Sequence, residues 1–367
     1  MKRDIIFLMP ARGLKPAGGF KVVFTYADYF SRKGHGVHII YPYVDYDFFT
    51  EETSFFSRAK IILGYAFRIL TKKLRLQDWF KFETPVEQRC VFRLNKSMFS
   101  PYSDIKNSIV FATAVDTAYA LDEIKAVPDE QKFYFIQGFE NWDFDDSYVY
   151  ESYKFPFKKI VISNWLKKEV EKTGGDAVVI QNGLDFDYFK LRNSIENRNP
   201  FEIAMLYHES DVKRCCDAFA ALDIVKRQIP ELHVSMFGAY ECPANLPEWY
   251  TYYKKPDMDV HNAIYNGAAV FVASSSTEGW GLTPCEAMQC GAAVACTDAG
   301  GYLEFAKNEE TALVSKVYDV NSLADNILRL VEDSTLRIRL AKAGNDFVKR
   351  FTWERAFSKM SEAIEDC

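Results

Sequence analysis

The chain has 367 residues, 48% of them hydrophobic and 26% charged. That is the composition of a folded globular protein, and the length suggests two domains. The net charge of −6 argues against a protein that binds nucleic acid through a broadly basic surface, so no nucleic-acid partner is expected. The eight cysteines form no C-x-x-C pair and the five histidines do not cluster with them, so zinc is not indicated. Buried, reduced thiols of a cytoplasmic protein are expected instead.

The opening MKRDIIFLMPARG has only a short apolar run, ended by Pro10. It is too short for a signal peptide and reads as a buried strand from Asp4 to Met9. Pro10 to Gly19 reads as a loop carrying Gly13, Gly18 and Gly19. Val22, Tyr26 and Phe30, with Val23 and Ala27, then recur at helical spacing. Gly34 and Gly36 end that helix, and VHIIYPY is a second strand. Strand, glycine loop, helix and strand make a βαβ unit, which points to a parallel sheet. The glycine spacing is not G-x-G-x-x-G, so a dinucleotide fingerprint is not supported.

Residues 45–100 break this rhythm. FFSRAKIILGYAFRILTKKLRLQDWFKF is aromatic, aliphatic and basic, with Asp78 its one acid. It reads as a helical insertion: either an amphipathic segment lying on an anionic membrane surface, or a helix pair packed on the domain with a solvated basic face. No window reaches the ~18 apolar residues of a membrane span.

Short apolar runs return at SIVFATAV, KFYFIQG, KIVIS and AVVIQNG. The polar, proline-ended stretch LRNSIENRNP (191–200) reads as an interdomain linker. A second βα series follows through FEIAMLY, DAFAALDIVKRQ, LHVSMFG, VHNAIYNGA, AVFVASS and AAVACTD to a helical tail.

Between the last two of these strands lies STEGWGLTPCEAMQCG, with Glu278 and Glu286 eight positions apart. Thr283, Pro284 and Glu286 fit a T-x-x-E capping box at a helix start. The same residues fit ligand binding. Glu278 follows a parallel strand, where open α/β sheets bind ligands, and the glycines let backbone N–H groups approach an anion. Glu286 is suited to accept ribose hydroxyls.

EGWGLTPCEAMQCGAAVACTDAGGYLE resembles the E-x7-E signature of retaining glycosyltransferases of family 4, through Gly291, Gly300, Gly301 and Glu304. ISNWLKKEVEKTGGDAVVIQNGLDFDYF is similar to that family's end-of-first-domain segment, and MLYHESDVKRCCDAFAALDIVKRQIPELHVSMFG to the opening of its second domain. FTWERAFSKM is similar to its final returning helix. The resemblance implies a GT-B fold, two Rossmann-like domains with parallel sheets facing a central cleft. The acceptor-side domain is expected over 1–190, the nucleotide-sugar domain over 200–350, and the returning helix over 351–367.

By the same resemblance, a sugar is transferred with retention from a nucleoside-diphosphate donor to a glycan or lipid-linked acceptor in bacterial surface polysaccharide assembly. Glu278 orients the donor sugar, Glu286 holds the ribose, and Lys213 with the Gly281, Leu282 and Thr283 backbone carries the diphosphate. Gly18 and Gly19 close the cleft from the other domain. A dTDP- or UDP-sugar leads the donor guesses; no separate cofactor and no metal are expected. The protein is expected in the cytoplasm or at the inner face of the cell membrane.

Two departures from the family pattern stand out. The expected arginine is His208 and the glycine after Lys213 is Arg214, so either could supply the missing charge. Asp116 and Thr117 occupy the place of the family's first-domain sugar-contacting histidine, and equally suit a helix start. Four Asp-x-Asp pairs, at 45/47, 143/145, 185/187 and 257/259, show how common that metal-binding pattern is by chance. An epimerase or phosphorylase on the same fold, or a non-catalytic partner of a glycan assembly complex, are the alternatives.

Overall fold

The structure, a computed structural model, describes residues 2–44, 54–95, 98, 105–142 and 144–365. The chain divides into two compact units. The first comprises Met1–Ile162, Lys167–Ile180 and Phe357–Cys367, the second Ser163–Leu166 and Gln181–Ala356.

Among the described residues the first unit holds a parallel sheet of seven strands: β1 (Asp4–Leu8), β2 (Gly36–Pro42), β3 (Glu87–Val91), β4 (Ile109–Ala112), β5 (Lys132–Ile136), β6 (Lys158–Val161) and β7 (Val178–Val179). Their spatial order is β3-β2-β1-β4-β5-β6-β7. Ile5 to Leu8 and Ile109 to Ala112 are fully buried, as expected of strands covered on both faces. The order reverses between β1 and β4, which creates a crevice at their carboxyl ends. Helix α1 (Gly18–Arg32) buries Val22, Val23, Tyr26, Ala27 and Phe30 against this sheet side of the unit.

The 45–100 stretch is not the wholly helical insertion expected. It holds α2 (Phe55–Leu70) and then β3, which pairs in parallel with β2 and extends the sheet. The segment between them packs inward: the rings of Trp79, Phe80 and Phe82 lie 5.4–5.6 Å from that of Phe24, and Gln77 is buried. Trp79, Phe80 and Phe82 are therefore half-buried, packed on this unit beside Phe24. Helices α3 (Val115–Asp122), α4 (Asp146–Tyr153) and α5 (Asn164–Glu171) follow in turn.

The second unit has a parallel sheet of six described strands: β8 (Glu202–Tyr207), β9 (His233–Gly238), β10 (Tyr250–Lys254), β11 (Val270–Ala273), β12 (Ala293–Thr297) and β13 (Leu313–Ser315), ordered β10-β9-β8-β11-β12-β13. Helices α6 (Cys215–Gln228), α7 (Met258–Gly267), α8 (Leu282–Gln289), α9 (Val320–Glu332) and α10 (Ser334–Val348) belong to it. Leu222 and Val225 of α6 join Ile327 and Leu330 of α9 and the strand residues Ile203, Val234 and Val270 in one core. The side chains of Asp319 and Asp333 cap α9 and α10 by accepting the Ser322 and Leu336 N–H groups at 2.9 Å.

The stretch 191–200 is not a linker. Asn266 Oδ1 accepts the Arg192 N–H at 2.7 Å, Ile195 enters the core, and buried Arg198 donates to the Ala268 carbonyl at 2.7 Å and to that of Cys290. Arg198 is buried because it satisfies carbonyls left free where α7 and α8 end, while the other polar residues of the stretch stay exposed. The units therefore divide at Ile180 and Gln181, and the returning helix α11 (Trp353–Glu365) is divided as well, after Ala356. Five of the described cysteines are buried, but Cys216 and Cys242 are exposed.

Candidate functional site

Lys213 ends a single helical turn, Asp211–Lys213, that follows β8. Glu278 lies in the loop after β11, the neighbour of β8 at the point where this sheet's strand order reverses. The two loops are laced together. Ser276 N–H donates to the Val212 carbonyl at 2.8 Å, and Ser274 Oγ donates to that of Arg214 at 2.8 Å. This lacing brings Lys213 Nζ to 2.5 Å from Glu278 Oε1. The same oxygen accepts from Ser275 Oγ at 2.7 Å and, at 3.4 Å, from the Tyr302 hydroxyl. Burial, reinforced by Glu278, raises the Tyr302 pKa well above its usual value, so this hydroxyl stays a donor.

Gly281 has φ of +99° and serves as the N-cap of α8. A Cβ there would stand 2.3 Å from the Tyr302 ring, so the position requires glycine for both reasons. The expected capping box is not formed. Helix α8 starts at Leu282, one residue before Thr283, and no side chain caps it. The left-handed swing at Gly281 begins the helix early and leaves the Leu282 and Thr283 N–H groups in its first turn. Glu286 lies deeper in the helix, 8% exposed, and accepts the Tyr265 hydroxyl at 3.0 Å. Burial, and then Glu286, push the Tyr265 pKa far up.

Neither substitute for the family arginine is a free cation. His208 accepts the Ser210 N–H at Nδ1, at 3.0 Å, and its Nε2 is 3.3 Å from the Tyr240 hydroxyl. Burial lowers the His208 pKa, helped by Lys213, while Glu278 opposes the shift. Arg214 has left-handed φ of +46° and directs its guanidinium at both Asp217 oxygens, at 2.9 and 2.8 Å, beneath the Tyr318 ring.

Asp116, Gly18 and Gly19 belong to the first unit. Gly18 opens α1, and Asp116 lies in the first turn of α3, accepting the Thr117 N–H at 2.8 Å. Thr117 is a helix-start residue: its hydroxyl accepts the Thr113 and Ala114 N–H groups, both at 2.9 Å, and donates to the Ala114 carbonyl. Gly19 and Asp116 line a cavity of about 880 Å³ at the carboxyl ends of β1, β4 and β5, together with Gln137, Glu140, Trp142 and Tyr148. Gln137 Oε1 is buried there without a hydrogen-bond partner among the described residues.

The Asp-x-Asp pairs have other placements. Asp185 accepts the Tyr188 N–H at 3.0 Å, and Asp257 caps α7 by accepting the Val260 N–H at 2.9 Å. The 45/47 pair and Asp143 lie outside the described residues.

Sequence reasoning missed Ser275, Tyr302 and Tyr265. Tyr302 sits inside the quoted GGYLE, and Ser275 three residues before Glu278, so their proximity to the motif was the available signal. Tyr265 reaches Glu286 from another helix, and nothing in the sequence marks it.

Residues 203–347 match the family model for glycosyl transferases group 1. An uncharacterised glycosyltransferase of Methanocaldococcus jannaschii is 30% identical over 211 residues, 57% of this chain and 59% of that protein. A phosphatidyl-myo-inositol mannosyltransferase of Mycobacterium tuberculosis is 23% identical over 222 residues, again covering 59% of its length and 56% of this chain. The chain thus spans little more than half the length of these curated relatives. Among solved structures, Anabaena HepE in complex with UDP and glucose aligns over all of both chains with a TM-score of 0.73 at 15% identity. Sucrose-phosphate synthase from Thermosynechococcus elongatus aligns over all of this chain and 99% of its own with a TM-score of 0.71 at 16% identity. The two parallel-sheet Rossmann-like units and these neighbours define the fold as GT-B.

Proposed function

We propose that the chain is a glycosyltransferase. It transfers a sugar, with retention, from a nucleoside-diphosphate donor to a glycan or lipid-linked glycan acceptor in bacterial surface polysaccharide assembly. The observation that carries this reading is the Lys213–Glu278 pair, 2.5 Å apart beside the glycine-capped start of α8. A cation beside N–H groups at a helix start suits the stabilisation of a departing diphosphate, and the adjacent carboxylate suits sugar hydroxyls, which supports this reading. The group 1 match over 203–347 covers all of these residues. HepE holds UDP and glucose on the same fold, and relatives of 31% and 32% identity over about a third of this chain are named as lipopolysaccharide-core and O-antigen mannosyltransferases of Rhizobium meliloti and Escherichia coli.

In this reading Lys213 and the Leu282 and Thr283 N–H groups stabilise the departing diphosphate. Glu278 orients the donor sugar and Glu286 accepts the ribose hydroxyls. No divalent metal is required. The donor is a UDP- or dTDP-sugar, and the enzyme works in the cytoplasm. The first-unit cavity suits a sugar acceptor: the exposed Trp142 ring is available to a pyranose, and Asp116, Glu140 and Gln137 line the same space.

One observation favours a second reading, a catalytically weak glycosyltransferase-like partner protein. His208 is held towards its neutral form and Arg214 is paired with Asp217, so neither replaces the family's second cation. A thermal-shift panel of nucleotide sugars, followed by assay of nucleoside-diphosphate release from whichever binds, decides between them. Binding with release supports the transferase. Binding without release, in the presence of candidate acceptors, supports the partner protein.

A further inference from the structure

The α2 helix has an apolar side that nothing described covers. None of its residues is buried. With an advance of about 100° per residue, Phe56, Leu63, Phe67 and Leu70 form one stripe, and Phe55, Ile62 and Ile69 form a second beside it. Phe56 is 84% exposed, Leu63 69% and Leu70 83%, whereas a surface helix of a globular protein ordinarily turns its apolar stripe to the core. The opposite side docks the helix on the first unit. The Tyr65 hydroxyl donates to the Cys90 carbonyl at 3.3 Å, the Tyr65 ring lies 4.9 Å from that of Tyr43, and Arg68 donates to the Tyr43 hydroxyl. The exposed stripes are therefore presented outward by a helix that is held in place.

The helix end is equally defined. Lys72 adopts left-handed φ of +54°, and the Lys73 N–H closes back on the Arg68 carbonyl at 2.9 Å, a Schellman-type stop. It leaves Lys72, Lys73 and Arg75 exposed just beyond the apolar stripes. From 54 to 77 the chain carries Arg58, Lys60, Arg68, Lys72, Lys73 and Arg75 and no carboxylate, although the whole protein has net charge −6. This local reversal of sign, coincident with the uncovered apolar face, identifies the occupant by charge complementarity.

We propose that α2 and the following turn dock the protein on an anionic lipid bilayer. The apolar stripes enter the acyl boundary and the cations meet the headgroups. The helix sits at the carboxyl end of the first sheet, the end that holds the cavity. Arg12, next to the cavity-lining Ala11, lies over the Tyr43 ring on which α2 packs. A docked bilayer would thus stand on the cavity's side of this unit. This inference does not depend on the transferase reading, because it is read out by binding and not by turnover.

The test is co-sedimentation of the full chain with vesicles of phosphatidylcholine alone or with phosphatidylglycerol added, at low and high salt. Binding is expected only with phosphatidylglycerol, falling as salt rises. Lys72→Glu/Lys73→Glu/Arg75→Glu is expected to weaken partitioning by roughly a hundredfold or more, since each of the three cations near an anionic surface contributes about a factor of five. Leu63→Ser/Phe67→Ser, at exposed positions that leave the Tyr65 and Arg68 contacts intact, is expected to abolish it. Failure to bind phosphatidylglycerol vesicles at low salt overturns the proposal. So does a concentration-dependent dimer that the Leu63→Ser/Phe67→Ser variant dissociates without any vesicle binding, which would make the face a contact between copies.

Discussion

Lys213 Nζ and Glu278 Oε1 lie 2.5 Å apart although 65 residues separate them in the chain. Two neighbouring parallel strands, β8 and β11, deliver them from loops that share hydrogen bonds. Glu278 is further held by Ser275 and Tyr302, while Lys213 has Glu278 as its ion-pair partner. The carboxylate is thereby the fixed member of the pair and the ammonium the member able to turn to an incoming diphosphate. Its long flexible stem suits that exchange.

Glu286→Gln separates a ribose acceptor from a packing residue. The amide oxygen can still accept the Tyr265 hydroxyl that Glu286 accepts at 3.0 Å, and α8 loses no cap, because Gly281 starts the helix. Melting is expected to stay near that of the parent. Nucleotide binding is expected to weaken by about 1.5–3 kcal/mol, the range for hydrogen bonds to a charged group. Calorimetric titration checks this, and unchanged affinity would confine Glu286 to packing.

Gly281→Ala places a methyl carbon 2.3 Å from the Tyr302 ring at a backbone φ of +99°. Strain of about 1–3 kcal/mol is expected. Tyr302 must move, and with it one donor to Glu278. Thermal denaturation should show a lower Tm, and turnover should fall further than stability alone explains. A variant with parental Tm would mean that the turn is not constrained as described.

His208 supplies a pH signature. Burial and Lys213 hold its folded pKa below the ordinary 6.5. Between the two values the unfolded chain binds the proton and the folded one does not, so stability rises with pH there. His208 therefore contributes stability that is complete above about pH 6.5 and lost as pH falls through the depressed folded value. Denaturant unfolding from pH 7.5 to 5 should show a steeper acid loss in the parent than in His208→Gln. Equal slopes would contradict the placement of His208.

Chelator distinguishes charge supplied by the chain from charge supplied by a metal ion. Turnover is expected to be unchanged in excess chelator, because Lys213 and the α8 backbone carry the diphosphate in this account. Loss of turnover, restored by magnesium or manganese, would return one of the Asp-x-Asp pairs to consideration.

The βα rhythm was legible because buried parallel strands are continuous apolar runs, as at Ile5–Leu8 and Val270–Ala273. The 278–286 motif was legible because turn glycines and strand-end acids lie close together in the chain. The polar 191–200 stretch misled because Arg198 and Asn193 satisfy carbonyls of α7 and α8 that are remote in sequence. The capping box misled because Gly281, by adopting left-handed φ, starts the helix before Thr283 can cap it. Strand β3 was hidden because EQRCV alternates little and sits at a sheet edge. The Tyr265–Glu286 contact was invisible because it joins two helices across the core.

The central claim is that Lys213 and Glu278 serve nucleotide-sugar chemistry. The most direct measurement is nucleoside-diphosphate release from a panel of nucleotide sugars by the parent and by Lys213→Ala, with folding verified by melting. Release by the parent from at least one donor is predicted, falling about 10²–10³-fold in the variant, the cost of removing a group aimed at developing charge. Release that is equal in the two proteins, or absent from the parent with every donor and acceptor offered, would contradict the account.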